Sequence, residues 1–428
     1  MQVKKINPSI TLEPNSVKGS KNKDFNIEAL RGFAALIVAI AHAVYFHYVL
    51  APGYSVKIGP DFVTGHYCVL IFFMLSGYVI GISNKTPLSG TMAILTYLKK
   101  RLVRLYPIYI ICLLLSFLTA TSFYDLKTVL SHLTFTQILF SELIKENGPL
   151  WSLHYEVLYY LLFIPISFLK LNPLVLAILS ILLGLGNFLI YPQVNVPIIT
   201  SYFFGFSFWV SGLIISKYFL KSNSKVNPAL LLSNIFLILC IGPFNILATI
   251  LKKIIALVNI TLEFPSSVNL AERIITFTDF AYLPYCFMFL LIACGKDFKY
   301  RKWVFVLLQV LPALTFNYIL RNLDTPGIEN FILPSVFYII SLLIFFIRTE
   351  KLKLISQPFI KFGIWLGSIS YALYVVHFPI IYLFNKIEVF SGTTTFFLFR
   401  LLLFLTLTII FSYLLEKKFQ PWIKSKIG

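Results

Sequence analysis

Acidic residues are scarce in this 428-residue chain: Asp and Glu number 17 against 36 Lys and Arg, and all charged residues together make up 12%. Soluble domains carry roughly a quarter charged residues, so a soluble multidomain enzyme is excluded. Cysteine is sparse as well. The five cysteines, Cys68, Cys112, Cys240, Cys286 and Cys294, lie within apolar stretches and none forms a Cys-x-x-Cys pair. Neither a disulfide framework nor a metal site is indicated. The formal charge of +19 would in a soluble protein raise nucleic acid as a partner. Here the cations cluster between apolar runs and report membrane topology instead, so no nucleic acid is expected. Residues 1–27 are polar, with Lys4, Lys5, Lys18, Lys21 and Lys23, and lack the apolar core and cleavage site of a signal peptide. They are expected to form a cytoplasmic tail.

What is abundant is apolar and aromatic side chain, 58% and 17% of the chain, for a mean hydropathy of +0.84. Apolar runs recur near 29–50, 66–83, 103–122, 150–169, 173–191, 200–219, 228–250, 276–294, 303–322, 330–348, 364–386 and 395–415. A membrane helix needs about 20 such residues. The pattern predicts an all-α, polytopic transmembrane helical bundle of 10–12 spans over 28–416, with a cytoplasmic C-terminal tail at 417–428. The distribution of cations tests the alternation, because a miscounted span would scramble it. With the N-terminus inside, 27 of the 36 cations fall at the cytoplasmic face and 9 elsewhere, which predicts both termini cytoplasmic. No internal repeat, low-complexity tract or soluble catalytic domain is visible. Any chemistry belongs to the bundle.

Ionisable groups at membrane depth cost ~2.5 to 3.5 kcal/mol each on insertion scales, so each needs a reason to be there. His42 follows Arg31 by eleven residues in LRGFAALIVAIAH, a turn of about 1100°, which places both on one helix face roughly 16 Å apart. Alone, His42 fits either an interhelical hydrogen bond or a neutral imidazole acting as general base. Glu156, in PLWSLHYEVLYY, fits a carboxylate paired with a cation, or one orienting a substrate hydroxyl or an imidazole. His377, in LGSISYALYVVHFP, fits a satisfied bundle histidine or a third member of the site. The predicted topology sets His42, Glu156 and His377 at one depth in the outer half. His154 is expected at the interface and Arg400 to snorkel. Ser76 and Gly77 in FFMLSGYVIG make a small pair suited to close helix approach. In KKRLVRLYP, Arg101 and Arg104 are three apart and share a face; they fit either the positive-inside signal or bidentate phosphate binding.

Taken in order, LRGFAALIVAIAH, FFMLSGYVIG, KKRLVRLYP, PLWSLHYEVLYY and LGSISYALYVVHFP resemble the acyltransferase-3 family of bacterial membrane acyltransferases, and FSYLLEKKFQPW with Glu416 resembles its terminal pattern. The resemblance implies transfer of an acyl group, usually acetyl from acetyl-CoA, to a hydroxyl of a surface glycan or lipid-linked saccharide. It implies a multi-pass protein of the bacterial cytoplasmic membrane, in contact with membrane lipid. His42 matches the residue taken as the catalytic base, and Glu156 and His377 complete the expected catalytic set. Arg31, Arg101 and Arg104 match positions associated with the CoA donor, and Ser76 is grouped with them. A transporter or glycan flippase is the competing reading, since many spans and intramembrane charges suit it too.

Overall fold

The computed structural model describes residues 25–55, 65–190, 197–219, 226–257, 274–347, 349–387 and 389–427. Most of the expected N-terminal tail, 1–24, lies outside them, as do Lys221, Lys225 and Arg348. The described chain is helical, without strands. In order the helices are α1 (Phe25–Tyr45), α2 (His47–Leu50), α3 (Gly65–Ser83), α4 (Thr91–Thr119), α5 (Leu126–Leu133), α6 (Trp151–Phe168), α7 (Pro173–Leu189), α8 (Pro197–Tyr218) and α9 (Pro228–Phe244). There follow α10 (Ile246–Ala256), α11 (Leu283–Ala293), α12 (Arg301–Val310), α13 (Ala313–Arg321), α14 (Ile332–Ile347), α15 (Glu350–Gly367), α16 (Ser370–Asn385), α17 (Thr394–Leu414) and α18 (Gln420–Ile427).

Among the described residues, eight helical stretches are long and apolar enough to cross a membrane, with Pro228–Ala256 (α9 and α10), Arg301–Arg321 (α12 and α13) and Thr394–Lys426 (α17 and α18) each counted as one, or nine if the bent pair of α15 and α16 forms one span. Pro173–Leu189 and Phe277–Ala293 are shorter apolar helices. The eighteen residues of α6 carry Ser152, His154 and Glu156 in their first half. Several runs that read as continuous are broken. Leu311 and Pro312 separate α12 from α13, Asn245 separates α9 from α10, and α15 and α16 meet at 76°. The chain after Leu414 is not a loose tail: a π-helical turn, Leu415–Phe419, leads directly into α18.

Small residues decide which helices meet. A Cβ on Gly77 would stand 1.9 Å from the Trp209 carbonyl oxygen, and one on Gly212 would stand 2.0 Å from that of Met74, so α3 and α8 touch backbone to backbone. A Cβ on Gly367 would lie 2.0 Å from the Glu28 carbonyl, which locks the end of α15 against the first turn of α1 beside Arg31. Without a hydrophobic drive between helices in lipid, such close approach is what holds a membrane bundle.

Prolines supply a second organising device. A helical proline frees the carbonyl four residues earlier, which must then find another donor. Pro107 frees Val103, whose oxygen accepts from Gln420 Nε2 at 2.6 Å and so ties α18 to α4. Pro379 frees Val375, whose oxygen accepts from Cys112 Sγ at 2.7 Å and Asn147 Nδ2 at 3.1 Å. Two expectations are corrected here. Arg400 is 2% exposed and does not snorkel: its Nε donates to Leu50 O at 2.6 Å and its Nη1 to Ile387 O and Val389 O, with Nη2 on Phe384 O. It satisfies carbonyls released at the end of α16. His154 is buried rather than interfacial, bonded through Nδ1 to Phe135 O and through Nε2 to the Tyr202 hydroxyl, so it staples the loop before α6 onto α8.

Candidate active site

Arg31, Arg101 and Arg104 come together, although they stand on two helices. They line a cavity whose walls also include Ser76, Glu156, Tyr160, Ser370 and Tyr374. Arg31 is drawn to Glu28, one helical turn before it, at 3.1 Å. The Arg101 guanidinium lies between the Tyr97 and Tyr160 rings, 5.6 Å from each centroid, a cation–π sandwich. Its Nε is buried and has no hydrogen-bond partner among the described residues. Arg104 has Glu28, Glu156 and Glu416 within electrostatic range. A buried guanidinium nitrogen without an acceptor is costly, and an anion entering the cavity would relieve it.

Ser76 and Glu156 are joined by a residue the sequence reading did not single out. Trp209 Nε1 donates to Ser76 Oγ at 3.3 Å, Ser76 Oγ donates to Tyr160 OH at 3.1 Å, and Tyr160 donates to the Glu156 carboxylate. Glu156 therefore stands among the arginines and not beside the histidines, against the expected common depth. Tyr160 was legible as a partner, since residues four apart on a helix face each other.

The same arginines and Ser370 also line a second, wider space of about 1820 Å³. Its wall adds Lys99 and Lys100 of α4 and, from the C-terminal segment, Glu416, Lys417, Gln420 and Lys424. Across the two spaces seven cations, Arg31, Lys99, Lys100, Arg101, Arg104, Lys417 and Lys424, face three carboxylates, Glu28, Glu156 and Glu416. The result is a broad basic vestibule that narrows at the arginines into an apolar-walled chamber.

His42 and His377, 335 positions apart in sequence, are in direct contact. Their rings stack with centroids 5.1 Å apart, and His42 Nδ1 lies 2.9 Å from His377 Nε2. The hydrogen positions follow from the partners. His377 Nδ1 is 2.6 Å from the Tyr374 carbonyl, which only accepts, so Nδ1 carries the proton. A neutral His377 then presents a lone pair at Nε2, and His42 Nδ1 donates to it. What is left is an unprotonated Nε2 on His42, with no hydrogen-bond partner among the described residues. Phe378 packs edge-on against His42 at 5.3 Å. His377 is fully buried, whereas His42 keeps part of its surface.

Tyr374 joins the two halves. Its side chain lines the chamber, its hydroxyl shares a 2.6 Å hydrogen bond with Ser152, and its carbonyl holds His377. Neither histidine lines the chamber. Below them, Asn147 and Cys112 clasp the Val375 carbonyl and fix the turn of α16 that carries His377. The Pro379 that makes this clasp necessary is visible in the sequence, but its partners on other elements are not.

A search of curated proteins and a search of solved structures give no match. A family model described as an acyltransferase domain matches residues 24–317, which include α1 through the first half of α13 and so contain Arg31, His42, Ser76, Arg101, Arg104 and Glu156, but end before Tyr374 and His377. The match covers more than half of the chain, so this multi-pass helical protein belongs to the acyltransferase-3 family and is a membrane acyltransferase.

Proposed function

We propose that this protein moves an acetyl group from acetyl-CoA to a hydroxyl of a saccharide on the opposite side of a bacterial cytoplasmic membrane. The observation that carries the reading is the shape and charge of the paired cavities. A seven-cation vestibule narrowing to a chamber with one unsatisfied guanidinium nitrogen suits a polyphosphate head with a slender arm. In this reading the phosphates of CoA lie against Arg31, Arg101 and Arg104, with Lys99, Lys100, Lys417 and Lys424 outside them. The pantetheine arm runs through the chamber towards Tyr374, past Ser76. The vestibule faces the cytoplasm, where acetyl-CoA is made, and both termini lie on that side.

His42 Nε2 takes the proton from the acceptor hydroxyl as its oxygen attacks the thioester carbonyl. The C–S bond breaks, the acetyl ester forms, and the proton passes from His42 to the CoA thiolate. His377, holding Nδ1–H of His42, fixes the tautomer that makes this possible. Glu156 acts through Tyr160 and the arginines as a positioning residue of the donor end, a role different from the sequence expectation that it orients the acceptor or the His42 ring.

Two measurements test this. Calorimetric titration with acetyl-CoA in detergent should give binding that weakens about ten- to a hundredfold in Arg101→Ala, the loss of a charge-assisted hydrogen bond. His42→Ala should leave that binding intact while acetyl transfer falls ~10² to 10⁴-fold. A transporter or flippase has no use for CoA, so absence of acetyl-CoA binding to the native protein would reject the enzyme mechanism in this form.

A further inference from the structure

At the end of the bundle opposite the basic vestibule, a third cavity of about 1270 Å³ opens between two broken helices. The break between α9 and α10 is at Asn245, whose backbone is left-handed at φ 47°, and the Tyr282 hydroxyl donates to its side-chain oxygen. The Phe244 carbonyl exposed by the break accepts from Thr315 Oγ1 at 3.1 Å, and Thr315 belongs to α13, the second half of the other broken helix. Interrupted backbone at membrane depth persists where protein or a polar cavity satisfies it. In membrane proteins such breaks recur at binding sites.

The wall pairs aromatic rings with neutral polar groups: Tyr67 and Tyr318 with Asn245, Thr249 and Thr315. Lys253 is the one charged residue among the described lining residues. Tyr67 is stabilised by stacking on Tyr282, with centroids 3.7 Å apart, while Tyr318 is 61% exposed and presents its ring to whatever enters. The cavity shares no lining residue with the vestibule or the chamber. Arg31 near the start of α1 lines the same chamber as Ser76 and Val79 near the end of α3, so the two helices run in opposite directions and Tyr67 at the start of α3 lies towards the face at which α1 ends with His42. Interfacial tyrosines are common in membrane proteins, but an aromatic belt needs neither two broken helices nor a wall of amide and hydroxyl groups.

We infer that this cavity is a saccharide-binding subsite, taking a sugar chain with an anionic group. Rings supply flat faces for the C–H side of a pyranose, the Thr249 and Thr315 oxygens, whose own protons go to the Asn245 and Phe244 carbonyls, accept from sugar hydroxyls, the Asn245 amide nitrogen donates to one, and Lys253 supplies the charge preference. It deepens the acceptor side of the proposed function, and is independent of how the donor binds.

The test uses full-length protein in a detergent without a sugar headgroup, titrated calorimetrically with tetragalacturonate, with maltotetraose and, in parallel, with acetyl-CoA. Tetragalacturonate should bind more tightly than maltotetraose. Tyr318→Ala should weaken both saccharides about tenfold or more, and Lys253→Gln should erase the preference for the acidic chain. Both replaced side chains are exposed, and unchanged acetyl-CoA affinity would show that the variants are folded. The inference is overturned if neither saccharide binds, if Tyr318→Ala leaves their binding unchanged, or if that variant releases co-purified phospholipid without affecting the sugars. Tyr318-dependent saccharide binding in a protein that ignores acetyl-CoA would reject the donor reading and leave this one standing.

Discussion

His42 and His377 illustrate how a pair of neutral side chains acquires direction. The Tyr374 carbonyl fixes the proton on one ring, and that ring fixes the proton on the next. Removing the second ring should therefore cost catalysis without touching the donor site. His377→Ala is expected to lower kcat about 10- to 100-fold, the usual cost of losing a group that orients a functional imidazole. KM for acetyl-CoA should stay unchanged, because His377 does not line the donor chamber. His377→Gln, whose amide oxygen still accepts from Nδ1, should recover part of the loss; steady-state kinetics on the three proteins decide it, and a KM effect equal to the kcat effect would contradict the assignment. At this scale the sequence exposed candidate residues but not their company. The apolar run at 29–50 placed Arg31 and His42 on one helix, as α1 has them, and the eleven-residue spacing put them on one face. It could not reveal that Arg31 serves the vestibule while His42 pairs with a histidine 335 positions away. Arg400 shows the same limit from the other side: its depth was readable, but the carbonyls it binds come from Leu50, Phe384, Ile387 and Val389, three of them at or just beyond the end of α16.

Elements were legible where apolar runs were long, and misread where a helix breaks inside one. Proline, glycine and asparagine mark the breaks at Pro312, Gly367 and Asn245, yet the 76° angle between α15 and α16 depends on Gly367 meeting the Glu28 backbone, a contact between distant parts of the chain. The segment between α4 and α6, which contains no long apolar run, has its own organisation. His132, fully buried at the end of α5, donates through Nδ1 to Thr128 O at 2.8 Å and accepts at Nε2 from the Ile144 amide at 3.3 Å. Burial lowers its pKa from the ordinary 6.5, with the Thr128 carbonyl opposing that shift. A histidine held neutral in the fold contributes stability that is present above the unfolded value and is lost as pH falls through the folded one. Protonation at Nε2 would also break the bond from Ile144. The Ile144 amide should thus exchange hydrogen faster at about pH 5 than at about pH 7.5 after correction for the intrinsic rate, and His132→Asn should abolish that difference. Equal protection at both pH values would mean that the imidazole does not hold this loop.

Across the whole molecule the functional groups separate by face. The start of α1, the first turns of α4, the junction of α15 with α16 and the C-terminal segment gather cations around one mouth. The last turns of α1, with His42, and the cavity around Asn245 and Tyr318 belong to the other end. Tyr374 stands between, lining the chamber while its carbonyl supports the histidine pair. On the proposed reading neither cosubstrate needs to cross: the thioester would approach Tyr374 from one side and the hydroxyl would approach His42 from the other, so only the acetyl group would change sides. That makes sidedness the most searching test of the proposed mechanism. Sealed vesicles carrying the protein in known orientation would receive acetyl-CoA, labelled in its acetyl group, on the vestibule side, with a saccharide acceptor confined to the opposite side. Label should appear on the enclosed acceptor while free CoA accumulates where it was supplied, and His42→Ala should stop both together. Donor supplied on the acceptor side should give no product, since the phosphate-binding cations are out of its reach. Labelling of acceptors on the vestibule side alone would mean that the chamber itself is the reaction site and that the histidine pair serves structure. Passage of the unmodified saccharide across the membrane would show that the bundle carries its acceptor, and the division of the chain into a donor face and an acceptor face would have to be abandoned.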